Sequence, residues 1–231
     1  MIDFTSATSN TLKRKCRMLS PQDYKDILLQ TVSQEIVDAD VARYYNDVPV
    51  VGNINSVLFM KCFEHNPLKD GLVAEFGVHT GGSTVALKNI FQSTTHAFDS
   101  FLGLPEDDGH FLKGQFNLDG KIPDLLVNDP DIEVYPGWFS ESIPPFAEKY
   151  KEHLRMVSVD CDTYIGAKDI FTLLKDRFVS GTTIYFDEMG LYYGWEIREY
   201  RAFLEFIQET GFDYKYIGKS DNEERCAVIL L

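Results

Sequence analysis

At 231 residues with 44% hydrophobic content, the chain is the size of one large domain with enough apolar side chain for a single core. Its 36 acidic residues against 22 basic ones leave a formal net charge of −14, which repels a phosphate backbone at long range and argues against a nucleic-acid partner. No run has the length of a membrane span, and the four cysteines, Cys16, Cys62, Cys161 and Cys226, are scattered without a CxxC pair. A reduced, cytoplasmic protein with no membrane partner is expected.

The first residues are rich in Ser and Thr and hold the dense basic run KRKCR at 13–17, which reads as a solvated arm. Ser20-Pro21 predicts a helix start, with serine as cap and proline in the first turn, and Tyr24, Ile27, Leu28 and Val32 follow helical spacing. A second helix is predicted from Asn55-Ser56 to about Glu64, ahead of Asn66-Pro67. Residues 1–66 are therefore expected to form an arm and a helical lid or flank, and residues 67–231 the main domain. The N-terminal helical pair is free to close over a small-molecule partner or to pack against a second subunit in a homodimer.

From residue 72 strands alternate with helices. The strands are VAEFGV (73–78), HAFDSF (96–101), IEVY (132–135), RMVSVD (155–160) and TTIYFD (182–187). Between them lie STVALKNIF and a helix with Ala167, Ile170, Phe171 and Leu174 on one face, and after the fifth comes a helix from about Trp195 to Glu209. Continuous apolar strands joined by helices imply a parallel sheet covered on both faces. The end, YKYIGKSDNEERCAVILL, has two strand-like runs and no room for a crossover, so it predicts an antiparallel hairpin. The fold expected is α/β and Rossmann-like: a mostly parallel seven-stranded sheet with a C-terminal antiparallel hairpin and helices on both faces.

In such sheets ligands bind beyond the carboxyl ends of the strands. The first strand runs into EFGVHTGGS, where Gly77, Gly81 and Gly82 allow close backbone approach to a ligand. The spacing is G-x-x-x-G-G rather than G-x-G-x-x-G, and Glu75 ahead of it repels a pyrophosphate but suits a cationic amino-acid moiety. Asp99, 24 residues after Glu75, stands where a carboxylate can accept both hydroxyl protons of a ribose. FLGL after it, and Gly137, Trp138 and Phe139 after the third strand, would pass near a base. Two strands end in acids, VDCD at Asp160 and FDEM at Asp187 and Glu188. If they are neighbours, about 4.8 Å apart, these carboxylates emerge side by side, and a hard divalent cation would relieve their repulsion. His110, in EDDGHFLKG, is the candidate general base, with Asp162 and Tyr164 in reserve. Cys161 reads as a strand-end filler, and LYYGW at 191–195 as an aromatic wall or buried packing.

Taken in order, EFGVHTGGST, FDSFLGLPEDD, PGWFSESIP, VDCDTYIGAKD and IYFDEM resemble the macrocin O-methyltransferase family across about residues 70 to 190. Members of that family are class I, metal-dependent enzymes that methylate sugar hydroxyls. The resemblance implies S-adenosylmethionine as methyl donor and Mg²⁺ as the metal, with Ca²⁺ or Mn²⁺ as alternatives. Carried onto this sequence, the resemblance implies Glu75 and Asp99 as cofactor contacts, and with the glycine-loop and strand-end residues the expected cofactor-binding set is Glu75, Gly77, His79, Gly81, Ser83, Asp99, Ser100 and Trp138. It implies Asp160 and Asp187 as metal ligands; Glu188, which can reach the same point, completes the expected metal set, and the expected catalytic groups are His110 and Asp160. Glu188 departs from the pattern, since many relatives have a second Asp there. The function expected is Mg²⁺-dependent methyl transfer to a hydroxyl of a sugar or other polyhydroxyl small molecule. A non-catalytic adenosyl-cofactor-binding module is the alternative, and an NAD(P)-dependent oxidoreductase is disfavoured by the glycine spacing and the hairpin.

Overall fold

A computed structural model of the protein describes residues 19–45, 48–107, 111–190 and 192–231. The basic run at 13–17, Cys16 and His110 lie outside the described residues. Strands β1 (Leu72–Phe76), β2 (Thr95–Asp99), β3 (Ile132–Pro136), β4 (Leu154–Val159) and β5 (Thr183–Phe186) run parallel. The hairpin β6 (Tyr214–Lys219) and β7 (Cys226–Leu230) closes the sheet antiparallel to β5, in the order β3-β2-β1-β4-β5-β7-β6. The order reverses between β1 and β4, which opens a crevice at their carboxyl ends.

Strand alternation divides the buried side chains between two faces. Val73, Met156, Tyr185 and Ala227 pack under α3 (Asn55–His65) and α4 (Gly82–Phe91), through Leu58, Phe59, Leu87 and Phe91. Ala74, Phe76, Val157, Val159, Ile184 and Phe186 pack under α6 (Phe139–Lys149), α7 (Tyr164–Leu173) and α8 (Glu199–Thr210), where Phe146, Phe171, Phe203 and Phe206 are buried. The remaining helices are α1 (Pro21–Leu28), α2 (Gln34–Tyr45) and the single turn α5 (Asp124–Val127). Leu28 of α1 and Val37 and Tyr44 of α2 belong to the same core cluster as α8 and the hairpin, so these helices share the core of the sheet.

Three elements differ from the sequence pattern, each for a packing reason. In α2 the buried stripe Val37, Asp40, Tyr44 carries a carboxylate where an apolar residue would mark a helix. Asp40 is tolerated there because Tyr200, Tyr214 and Tyr216 donate hydroxyl hydrogen bonds to it at 2.7, 2.5 and 2.8 Å. Helix α6 runs through Pro144 and Pro145, whose missing N–H groups cost ladder bonds; burial of Ile143 and Phe146 against β2 and β3 aromatics outweighs that loss. The helix expected from Trp195 is a 3-10 turn, Trp195–Ile197, then a break at Arg198 (φ −112°, ψ −126°) before α8.

Candidate active site

The crevice at the carboxyl edge opens into a cavity of about 720 Å³. One end is the loop from β1 to α4. The backbone N–H of Gly77 donates to Phe98 O (2.9 Å) and that of Asp160 to Phe76 O (2.9 Å), which draws the ends of β2, β1 and β4 together. Gly77 is required there: its φ is +89°, and a Cβ would lie 1.6 Å from the carbonyl oxygen of Asp160. At Gly81, φ +86°, a Cβ would lie 2.5 Å from Leu126 Cδ2. The carboxylate of Asp99 ties the loop to β2. Its Oδ2 accepts from the amides of Val78 (2.9 Å) and His79 (2.8 Å), and its Oδ1 from the amide of Phe101 (2.7 Å). Asp99 lines the cavity, and a carboxylate oxygen that accepts one hydrogen bond has capacity for a second.

The other end is acidic. Val159 of β4 pairs with Phe186 of β5, so Asp160 and Asp187, the next residues, leave the sheet side by side. Glu75 and Ser158 fall on the same face as these acids. Asp187 is buried and bridged by Arg225, Nε to Oδ1 at 2.7 Å and Nη2 to Oδ2 at 3.3 Å, and it also accepts from the hydroxyl of Tyr185. Glu188 hydrogen-bonds to Asp162; burial first, then the charges of Asp162, Glu199 and Asp160, push its pKa far up, and its Oε2 is buried with no hydrogen-bond partner. Asp160 is also pushed well up, by burial and then by Asp187, Glu75, Asp162 and Glu199.

Two fully buried carboxyls support this end from below. Glu75 accepts from Thr84 Oγ1 (2.5 Å) and Ser158 Oγ (3.4 Å), and burial raises its pKa to about 7. Glu199, at the start of α8, accepts through Oε1 from the amides of Cys161 (3.0 Å) and Asp162 (3.2 Å) and from the Cys161 thiol (3.5 Å). Those bonds hold Asp162 in the left-handed region at φ 63°. Burial, followed by Asp162 and Asp187, raises Glu199 to about 8.

Of the residues expected to contact a cofactor, Gly77, His79, Ser83, Asp99, Ser100 and Trp138 line the cavity, with Gly103, Leu104, Gly137 and Phe139. Glu75 and Gly81 do not: Glu75 lies beneath the loop, bonded to Thr84 and Ser158, and Gly81 packs on Leu126. Asp160, Asp187 and Glu188 all line it, as does Asp162. His110 lies outside the described residues. Tyr164 is turned away, donating to Glu205 at 2.9 Å. Of LYYGW, Tyr193 donates to Leu19 O and Trp195 packs on Tyr200, so neither forms a wall of this cavity. Cys161 is buried, its thiol pushed well up by burial and by Glu199. Arg225 and Glu199 carry no local signal: each reaches the site only through the pairing of elements distant in sequence.

An adenosyl nucleoside fits this setting. The cavity of about 720 Å³ has room for a nucleoside, bare backbone at Gly77, Gly82 and Gly137 forms part of its wall, and the carboxylate of Asp99 lies on it. A metal held by Asp160, Asp187 and Glu188 does not fit. Oδ1 of Asp187 is filled by Tyr185 and Arg225, its Oδ2 faces the same guanidinium, and Glu188 is turned to Asp162. Among the described residues no group of three or more His, Cys, Asp or Glu side chains is placed to hold a metal ion. Nor, among them, is any helix long and apolar enough to cross a membrane.

No family model matches the sequence, and comparison with curated proteins finds no match. Solved structures do match. The calicheamicin methyltransferase CalS11 superposes with a TM-score of 0.57 at 15% identity, covering 91% of this chain and 93% of that one. The O-methyltransferase NovP gives 0.57 at 15% identity over 90% of this chain and 98% of that one. An O-methyltransferase from Bacillus cereus in complex with SAH gives 0.52 at 14% over 89% and 91%. At such identities the likeness is one of fold, and it agrees with the strand order: the chain has the seven-stranded, Rossmann-like methyltransferase fold.

Proposed function

We propose that the chain is an S-adenosylmethionine-dependent O-methyltransferase that acts on a hydroxyl of a sugar or another polyhydroxyl small molecule. The observation that carries this is the two-ended cavity: one end a glycine-and-Asp99 cradle of nucleoside size, the other a set of partly buried carboxyls. Support comes also from the neighbours, since CalS11 is a TDP-rhamnose 3'-O-methyltransferase (TM-score 0.50, 15% identity) and the motif order resembles the macrocin family.

When bound, the donor would supply a sulfonium methyl for attack by an acceptor oxygen, with the thioether of S-adenosylhomocysteine as the leaving group. The chain has three tasks. Ser83, Asp99, Ser100 and Trp138 position the nucleoside, with Asp99 Oδ1 as hydroxyl acceptor. Asp160 faces the cavity at the end of β4 and is assigned as the acceptor of the hydroxyl proton. Burial, and then the charges of its acidic neighbours, raise its affinity for a proton, and positive charge entering the cavity shifts it back toward the carboxylate that accepts one. Glu199 and Glu75 fix the backbone and loop from which these groups project. No divalent ion enters this proposal, because Asp187 is already bridged by Arg225.

A small acceptor inside a cell suits the net charge of −14 and the acidic cavity better than a nucleic acid does. Calorimetry with S-adenosylhomocysteine and with NAD, and mass spectrometry of nucleotide sugars and vicinal diols incubated with S-adenosylmethionine, test the reading. Binding of the adenosyl compound and a gain of one methyl on an oxygen are expected; binding of NAD alone would refute it.

A further inference from the structure

Arg225 immediately precedes β7, and the antiparallel register of β5 and β7 ends with Phe186 opposite Cys226. One residue further on, Asp187 and Arg225 are therefore placed across from each other by the sheet itself, and their side chains make a two-pronged bridge at 2.7 and 3.3 Å. The guanidinium is held from its other side by Asn53, Nη1 to Oδ1 at 2.6 Å. Its backbone is fixed by Ser220, whose Oγ accepts from Arg225 N at 2.9 Å and whose N–H donates to Arg225 O at 2.9 Å. Arg225 lines the cavity beside Asp160 and Glu188. A guanidinium keeps its charge at every working pH, so this bridge is a permanent feature of the site.

From this register and this bridge we infer that Arg225 is the built-in counter-cation of the acidic end, in the place a divalent ion would take, and that the site operates without such an ion. The inference rests on the O-methyltransferase reading for its reaction, but not for its metal chemistry. A divalent cation ligated by Asp187 would stand within reach of the guanidinium and be repelled by it. Arg225 is thus a positioning and charge-balancing residue.

The experiment measures Mn²⁺ binding, by electron paramagnetic resonance of free Mn²⁺, to the wild-type chain, Arg225→Gln and Arg225→Lys, each checked for fold by circular dichroism. The wild type and the lysine variant are expected to show no saturable binding at millimolar Mn²⁺, and the glutamine variant to bind at least about 10-fold more tightly. Wild-type turnover is expected to persist in excess chelator. Saturable submillimolar binding by the wild type, loss of turnover in chelator, or no gain in folded Arg225→Gln would each overturn the inference. Equal binding by the lysine and glutamine variants would overturn charge as the cause. S-adenosylhomocysteine affinity, measured on the same proteins, separates the two proposals: its absence everywhere, with the Mn²⁺ pattern intact, sinks the methyltransferase reading and leaves the role of Arg225 standing.

Discussion

Glu199 gives the sharpest test of how the acidic end is built. Its carboxyl is fully buried, Oε1 takes two backbone N–H groups of the Asp160–Asp162 turn, and Oε2 has no hydrogen-bond partner. Burial and its acidic neighbours raise its pKa from 4.5 to about 8. A raised carboxyl means that the folded chain keeps a proton the unfolded chain has lost, so stability is fully present below about pH 4.5 and is lost as pH climbs toward about 8. The slope is about 1.4 kcal/mol per pH unit for one group, so roughly 2 kcal/mol should disappear between about pH 6 and about pH 7.5. Glutamine has the shape of the protonated acid and keeps the carbonyl that accepts from Cys161 and Asp162. Glu199→Gln should therefore match the wild type within about 1 kcal/mol near pH 6 and be more stable than it by about 2 kcal/mol near pH 7.5. Glu199→Ala leaves two buried amides unpaired, at about 1–3 kcal/mol each, and should be less stable near pH 6 by about 2–6 kcal/mol. Urea unfolding of the three proteins at several pH values across that window measures this. Parallel pH dependences for wild type and Glu199→Gln would show that Glu199 does not carry the proton assigned to it.

Three further outcomes are expected. Asp99→Asn replaces one acceptor oxygen with a donor that faces the amide of Val78 and His79 or that of Phe101, so S-adenosylhomocysteine affinity should fall at least about 10-fold by calorimetry; unchanged affinity would refute its part in the cradle. Asp160→Asn should lower turnover about 10²-fold or more while cofactor affinity holds, which a pH–rate series on an accepted hydroxyl would check. Gly77→Ala puts a methyl against Asp160 O and should cost at least about 3 kcal/mol in chemical denaturation; wild-type stability would mean that β1 and β4 do not close as described.

Several features were legible in the sequence because they depend on local pattern. Five apolar runs separated by helical periodicity imply parallel strands, and the short polar turn near residue 221 leaves no room for a crossover, which the β6–β7 pairing matches. Asp160 and Asp187 sit one residue past β4 and β5 because the apolar runs stop where the sheet opens into the cavity. What sequence alone could not decide is which groups face those acids. Asp187 looks like a metal ligand until β7 brings Arg225 across from it, 38 residues away. Glu75 looks like a cofactor contact until α4 places Thr84 over it, and Asp40 hides a helix until three tyrosines from α8 and β6 gather around it. The physical reason is common to all three. Apolar periodicity is written along the chain, whereas the state of a buried charge is set by partners that only tertiary folding brings within hydrogen-bond reach.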